Sequence, residues 1–213
     1  IDDVCDVAKK KATVRLSDES SFLETLKKSR DFLMQYISRG FPTYGVTTNF
    51  GDSCANQISP QKATELQHVI VTYHGIGLGK RFSAEEGRAV VLCRLNGNVK
   101  GGHSAIRPEL ATFLETLLKK DIIPVIPELG SVGASGDLTP LSYLGAVMYG
   151  ERSVYYKGNI VPTMEALNAE GIKPLPLEAK EGLAIMNGTS VMTAVAALAW
   201  KKATRLANIS DFL

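Results

Sequence analysis

The chain has 213 residues, of which 45% are hydrophobic and 22% are charged, and its formal net charge is +2. This length and composition suit one large domain or two small ones with a real core, and they exclude a disordered chain or a strongly basic nucleic-acid-binding protein. Because no signal-peptide pattern opens the chain and no apolar run reaches the roughly 18–20 residues that span a membrane, we expect a cytoplasmic protein with no membrane partner.

Helical periodicity begins near residue 21. Ser21-Phe22-Leu23-Glu24 has the pattern of a capping box, in which the serine and the glutamate satisfy the first free N–H groups of a helix. Gly40 predicts the end of this helix. Its core-facing stripe is predicted to contain Leu23, Leu26, Leu33, Tyr36 and Ile37.

Three further helices are predicted before residue 120. Ser59 followed by Pro60 has the pattern of an N-cap and a first helical residue. A second capping box, Ser83-Ala84-Glu85-Glu86, opens a helix that is expected to reach about Leu95. The apolar stripes of the first and third of these helices are Leu66, Val69, Ile70 and Tyr73, and Leu110, Phe113, Leu114, Leu117 and Leu118.

Extended structure is predicted around residues 122–129, because the two prolines there forbid a helix. Asp137 is predicted to cap the helix that follows it, through about Gly150. Residues 154–161 contain Gly158-Asn159 and predict a hairpin, and Thr189 begins a last, alanine-rich helix.

Residues 130–141 read Gly-Ser-Val-Gly-Ala-Ser-Gly-Asp-Leu-Thr-Pro-Leu and are the most informative stretch. If the Gly136 nitrogen closes onto the Ala134 carbonyl carbon and Ser135 loses its hydroxyl, the product is a five-membered ring with an exocyclic methylene, an electrophile that no side chain provides. A simple connecting loop is the alternative for a bare Ala-Ser-Gly. A phosphate-binding loop is rejected, because no Lys-Ser/Thr follows and Asp137 places a negative charge there.

The whole twelve-residue string closely resembles the signature of the histidine/phenylalanine/tyrosine ammonia-lyase family. Further segments resemble the family in the same order, and the likeness covers roughly residues 40–213. These segments are residues 44–51, 66–79, 102–108 and 180–189.

The resemblance implies a 4-methylidene-imidazol-5-one group that forms autocatalytically from Ala134-Ser135-Gly136. It also implies that Tyr44 is the general base that removes the substrate β-proton. A free tyrosine titrates near ~10, so a positive helix end, a cation or the transition-state geometry must assist. Gly51 is assigned to the support of the tyrosine loop, in which Asn49 replaces the family's usual glycine. Asp137 either positions the ring or caps a helix, and both roles are compatible.

Four residues are assigned to substrate binding by the resemblance: Tyr73, His74, Leu138 and Asn187. Family members select the substrate side chain at the positions of Tyr73 and His74. His74 favours histidine, whereas the bulky Tyr73 in place of a small residue keeps tyrosine and phenylalanine open. Asn187 is expected to contact the substrate carboxylate or the ring, with a simple turn-forming role as the alternative. A histidine such as His74 is also a common packing residue.

The implied fold is mainly α: the N-terminal domain of an aspartase/fumarase-like ammonia-lyase with a small β-hairpin. Residues 1–188 are expected to form the lyase domain, and residues 189–213 the start of a long-helix bundle whose remainder lies outside the chain. The implied assembly is a homotetramer. Because the family's carboxylate-binding arginine is expected beyond Leu213, we expect this chain alone to be inactive.

The implied reaction eliminates ammonia from an aromatic L-amino acid to give a trans-arylacrylate. A 2,3-aminomutase with the same prosthetic group and a non-catalytic relative are the alternatives. No metal is expected, because Cys5, Cys54 and Cys93 are scattered and no histidine has a second ligand at metal spacing. No nucleotide is expected either, since the glycines of residues 75–80 follow a helical pattern and lack the required Ser/Thr.

Overall fold

The computed structural model describes residues 1–59 and 62–211. Within these residues it contains nine α-helices and five short strands, which confirms the mainly α fold predicted from the sequence. The helices are α1 (Asp2–Ala8), α2 (Ser20–Ser38), α3 (Ala63–Tyr73), α4 (Ala84–Val99), α5 (Pro108–Lys120), α6 (Leu138–Met148), α7 (Thr163–Ala169), α8 (Glu181–Met186) and α9 (Ser190–Ser210). The strands are β1 (Leu78–Arg81), β2 (Ile123–Pro124), β3 (Pro127–Leu129), β4 (Ser153–Tyr156) and β5 (Asn159–Pro162).

Helix α4 is the centre of the molecule, packed against α1, α5, α9 and β2. Its predicted capping box is confirmed: the Glu86 amide donates to Ser83 Oγ, and the Ser83 amide donates to the Glu86 carboxylate at 2.8 Å. The helix continues to Val99, past the predicted end at Leu95. Helix α5 is also confirmed, and all five residues of its predicted stripe are buried.

The predicted capping box of α2 is wrong. The helix begins at Ser20, so its N-cap is Glu19, two residues before the predicted N-cap Ser21, and Glu19 makes no side-chain capping bond. The Ser21 hydroxyl points back to the Glu19 carboxylate at 3.4 Å. The predicted end is confirmed, since Gly40 follows α2 with a φ of +78° that glycine adopts without strain.

The apolar stripes predicted for α2 and α3 are only partly buried. In α2 the buried members are Leu26, Leu33 and Ile37, whereas Leu23 and Tyr36 are exposed. The α3 core face consists of Ala63, Gln67, Ile70 and Val71. Val69 and Tyr73 are about half exposed.

The predicted start of α3 falls partly outside the described residues. The helix begins at Ala63 with Lys62 as its N-cap, and the predicted first helical residue, Pro60, lies outside the described residues.

Two small antiparallel sheets support one side of the helices. Strands β2, β4 and β5 form one sheet in that order, and β1 pairs with β3 in the other. The predicted hairpin is confirmed as β4 and β5, with Lys157 and Gly158 in the turn. The predicted extended structure of residues 122–129 is confirmed as β2 and β3.

A buried ion-pair network fixes the start of α8. The Glu181 carboxylate is fully buried and accepts from the Arg107 guanidinium at 2.7 Å and from the Arg107 amide at 2.9 Å. Glu178 pairs with Arg107 at 2.8 Å and with Arg30 at 2.7 Å. Buried charges are retained when they are paired and hydrogen-bonded in this way.

Helices α8 and α9 correct the expectation that no stretch is apolar enough to span a membrane. An 18-residue window within Glu181–Ser210 has a mean hydropathy of 1.5, and length and composition alone would allow a span. That window is 56% buried inside the protein, and residues 187–189 separate the two helices. Packing against α4 and α1 accounts for its apolar character. The second half of α9 is exposed and carries Trp200, the single tryptophan of the chain.

Candidate active site

A cavity of about 490 Å³ lies between the end of α3, the start of α6, the end of α8 and the loop after α2. Seven of the ten predicted site residues line it: Tyr44, Gly51, Tyr73, His74, Ser135, Leu138 and Asn187. Phe50, Ile70 and Leu183 complete the lining. These three apolar residues were not among the predicted site residues, although they lie in the segments that carry the family resemblance.

The tyrosine loop, residues 43–51, is a tight turn that packs against α2 and α8. Val46 is fully buried in a small cluster with Leu33 and Ile37 of α2. The Gly45 amide donates to Thr48 Oγ1 at 3.1 Å. Gly45 has a φ of +66°, and a Cβ there would lie 2.3 Å from a methyl group of Leu183. Glycine is therefore required both by the turn and by its contact with α8.

Tyr44 projects from this loop into the cavity and is half exposed. Its phenol oxygen accepts a hydrogen bond from the Gly51 amide at 2.9 Å. Its ring meets the edge of Phe50 with centroids 6.2 Å apart and planes at 83°. The loop therefore fixes both the ring plane and the oxygen of Tyr44.

Tyr73 and His74 end α3 at the opposite wall, with ring centroids 4.3 Å apart. His74 Nδ1 lies 2.8 Å from the Ile70 carbonyl oxygen. Because a carbonyl only accepts, Nδ1 carries a proton, and in the tautomer with the proton on Nδ1 the other nitrogen, Nε2, is an acceptor. Burial, with a smaller effect of Tyr44, raises the pKa of the Tyr73 phenol, so Tyr73 stays a protonated hydroxyl.

Residues 133–136 form a sharp turn at the mouth of the cavity. The Gly136 amide donates to the Gly133 carbonyl at 3.3 Å, and the two residues have φ values of +102° and +79°. Ala134 and Ser135 at the tip are exposed, and Ser135 lines the cavity. A Cβ on Gly136 would lie 2.6 Å from the Gly188 backbone nitrogen. Only glycine fits between the turn and residue 188.

The junction between α8 and α9 holds this turn. The Asn187 carboxamide donates to the Ser135 carbonyl. The Asp137 amide donates to the Gly188 carbonyl at 2.7 Å. Asn187 and Gly188 thus contact the turn on both sides of Gly136.

Asp137 occupies the predicted N-cap position of α6, but its side chain makes no capping hydrogen bond to that helix. Its carboxylate is buried and accepts from the Val191 and Met192 amides of α9, each at 2.9 Å. The other oxygen accepts from the Ser131 hydroxyl at 2.6 Å. A carboxylate at a helix N-terminus is favoured by the free amides and the helix dipole, so Asp137 ties the turn to α9.

Arg94 of α4 lies behind the turn and was missed by the sequence analysis. It is buried, and it donates to the Ala184 carbonyl at 2.7 Å and to the Asn98 side chain at 3.1 Å. Burial lowers its pKa to about 10, partly offset by the charge of Asp137, so it stays charged at neutral pH. A Cβ on Gly188 would clash with its guanidinium. No local pattern marks an arginine inside a helix as part of a site.

The described residues contain no group of three or more His, Cys, Asp or Glu side chains arranged for a metal ion.

The helical scaffold thus places the glycine turn and Tyr44 on the lining of one cavity. The chain belongs to the aromatic amino acid lyase family, whose model matches residues 1–213. It is 39% identical to a histidine ammonia-lyase of Stigmatella aurantiaca over 99% of this chain and 41% of that protein.

Solved structures agree with this assignment. The tyrosine aminomutase of Streptomyces globisporus is 40% identical, with a TM-score of 0.86 over 92% of this chain and 36% of that chain. The phenylalanine aminomutase of Pantoea agglomerans is 31% identical, with a TM-score of 0.92 over 98% of this chain and 40% of that chain. The chain therefore spans about two fifths of the length of these relatives.

Proposed function

We propose that this chain is the part of an aromatic amino-acid ammonia-lyase, a carbon–nitrogen lyase, that contains the cavity for the substrate side chain. The observation that carries the proposal is the convergence of Tyr44, His74, Ser135 and Asn187 on one cavity, although these residues are far apart in the sequence. The family membership and the names of its relatives support the reaction class.

We propose that Ala134-Ser135-Gly136 matures into the methylidene-imidazolone group. The turn fits this group, because its residues are small, its tip is exposed to the cavity, and residue 136 has a backbone conformation suited to glycine. Asn187 would hold the Ser135 carbonyl, and Asp137 and Gly188 would hold the base of the turn. When formed, the group supplies an electrophilic methylene for the amine of the substrate.

Tyr44 is proposed to take the proton from the substrate β-carbon. The Gly51 amide already donates to the phenol oxygen. It therefore stabilises the negative charge that this oxygen carries before it takes the proton. The Phe50 contact fixes the ring orientation. Positioning of a base in this way can supply much of the rate enhancement.

Histidine is the proposed substrate, with tyrosine and phenylalanine as the next candidates. The free Nε2 of His74 can accept an N–H from an imidazole side chain of the substrate. The protonated Tyr73 hydroxyl beside it can donate to an imidazole nitrogen or to a phenol oxygen. Phenylalanine would leave both polar groups without a partner, which disfavours it.

The described lining of the cavity provides no cation for the carboxylate of the substrate. None of the described residues that line it is an arginine or a lysine. We propose that a cation from the remainder of the protein binds the carboxylate in a homotetramer.

In the same proposal, residues 1–188 form the lyase domain and residues 189–213 form the start of a helix bundle. On this proposal the chain alone has no turnover.

Intact-mass measurement and a substrate panel test the proposal on the whole protein that contains this chain. We expect the loss of two water molecules and the release of ammonia from histidine with formation of urocanate. An unmodified mass would overturn the proposed group, and release of ammonia only from tyrosine or phenylalanine would overturn the proposed substrate. A mature protein without turnover would indicate a non-catalytic relative.

A 2,3-aminomutase is the second candidate, because aminomutases are among the solved structures similar to this chain. Product analysis separates the two reactions. A β-amino acid as the main product, with little free ammonia, would replace the lyase proposal by this one.

A further inference from the structure

Gln67 is a fully buried polar residue that connects two walls of the cavity without lining it. Its side-chain nitrogen donates to the Ala63 carbonyl at 2.9 Å and to the Gly45 carbonyl at 3.4 Å. Its side-chain oxygen accepts from the Gly182 amide at 2.9 Å. Both ends of the amide are therefore in use, as burial of a polar group requires.

The partners of Gln67 belong to the two segments that carry the proposed chemistry. Gly45 directly follows Tyr44 in the tyrosine loop. Gly182 lies in the first turn of α8, and Asn187 at the end of α8 contacts the Ser135 carbonyl. One side chain on α3 thus connects the backbone beside the proposed base with the helix that holds the proposed ring segment.

The three segments around Gln67 are closely packed. A Cβ on Gly182 would lie 2.7 Å from Gln67 Oε1, and a Cβ on Gly45 would lie 2.3 Å from the Leu183 side chain. The tyrosine loop, α3 and α8 therefore meet at glycines, with the Gln67 amide between them. Close packing of this kind transmits a change at one residue to its neighbours.

We propose that Gln67 is a positioning residue, which sets the separation between the Tyr44 phenol and the Ser135 backbone. This inference rests on the proposed function of the site. Gln67 touches neither the substrate nor the reacting atoms and acts through Gly45 and Gly182. A displacement of Tyr44 by about 1 Å would slow the proton transfer by about 100-fold, because the reaction needs the oxygen close to the β-carbon.

The contacts of Gln67 are tested by substitution in the whole protein. Gln67→Met keeps the length of the side chain and removes all three of its hydrogen bonds, to Ala63, Gly45 and Gly182. Gln35→Met, on the exposed face of α2, is the matched control.

For Gln67→Met we expect kcat to fall by about 10- to 100-fold, while KM changes by less than about threefold. The deuterium isotope effect on kcat with β-deuterated histidine should increase, because proton removal becomes slower. A merely structural role would reduce the amount of active protein without a change in this isotope effect. An isotope effect and a kcat equal to those of the wild type would overturn the proposal.

A second test does not depend on folding of the Gln67→Met variant. Gly182→Ala presses a methyl group against Gln67 from the α8 side, whereas Gly97→Ala on α4 adds a methyl group with no heavy atom within 4 Å. We expect a larger isotope effect for Gly182→Ala and an unchanged one for Gly97→Ala. Equal isotope effects in the two variants would contradict the role of this contact.

Amide hydrogen exchange of residues 45–51 provides a readout without activity. We expect faster exchange in Gln67→Met and an unchanged rate in Gln35→Met. If the wild-type protein neither loses water nor turns over any substrate, the proposed function fails. The exchange rate of these amides then still decides whether Gln67 holds the loop, and an unchanged rate would overturn that role.

Discussion

The turn of residues 133–136 and the layer beneath it differ sharply in how they are held. Ala134 and Ser135 at the tip are exposed, and their backbone is restrained by a few hydrogen bonds. Below them, Asp137 and Arg94 are buried. Arg94 donates to the Ala184 carbonyl of α8, and Asp137 accepts from the Val191 amide of α9. The proposed chemistry thus lies on atoms with little packing of their own, while their position is set by buried polar groups.

This contrast predicts that substitutions on the cavity surface mainly change the reaction, whereas substitutions in the buried layer beneath the turn mainly change stability. Tyr44→Phe should have the largest effect on the reaction, lowering kcat by about 100- to 10,000-fold through loss of the general base. The free energy of unfolding should change by less than about 1 kcal/mol, because one half-exposed hydrogen bond is lost. Steady-state kinetics and urea unfolding of the whole protein measure the two effects. Tyr36→Phe on α2 is the control, and activity retained in Tyr44→Phe would exclude the base.

Asp137→Ala should have the largest effect on stability. It removes the acceptor of the Val191 and Met192 amides at the start of α9, and we expect a loss of about 2–4 kcal/mol in the free energy of unfolding. Asp137→Asn keeps an acceptor oxygen and should lose less than half as much. Urea unfolding measures both variants. Equal losses would show that the negative charge, and not the hydrogen bonds, holds α9.

Two glycines of the same turn sharpen the comparison. Gly136→Ala and Gly133→Ala both place alanine at positive φ, so both include backbone strain. Only at residue 136 does the new methyl group meet backbone, that of Gly188, whereas nothing lies within 4 Å at residue 133. We expect Gly136→Ala to be less stable than Gly133→Ala by about 1–3 kcal/mol in thermal or urea unfolding. Similar stabilities would mean that the turn is free to move away from α8.

The smallest effect is expected far from the cavity, at Glu170. Hydrogen bonds from Tyr156 and Lys120 lower the pKa of its carboxyl from 4.5 to about 2. A lowered carboxyl pKa contributes stability above the unfolded value, and this contribution is lost as the pH falls from about 4.5 to about 2. The stability of the wild type should thus fall slightly towards that of Glu170→Gln over this range. Acid titration of unfolding for both proteins measures it, and parallel curves would contradict the prediction.

Local patterns predicted well those features that depend on neighbouring residues. The Ser83 capping box, the α5 stripe, the extended prolines and the hairpin all follow from contacts within a few residues. The glycine turn and Tyr44 were identified because their segments resemble short motifs of the family. Their chemical roles remain proposals.

Features that depend on distant contacts were missed or misplaced. Asp137 bonds to Val191, 54 residues away, so its sequence neighbours pointed to the wrong helix. Gln67 and Arg94 are polar residues inside helices, and only the tertiary structure gives them partners. The stripe of α3 was predicted too wide, because Tyr73 lines the cavity and is not part of the core.

The position of Trp200 has a practical consequence. It is the only indole of the chain, and it is 63% exposed on the second half of α9. Its fluorescence emission therefore reports on one defined surface. A shift of that emission to shorter wavelength would signal that another surface has covered this end of α9, and titration of the chain with the remainder of the protein would give the strength of that association.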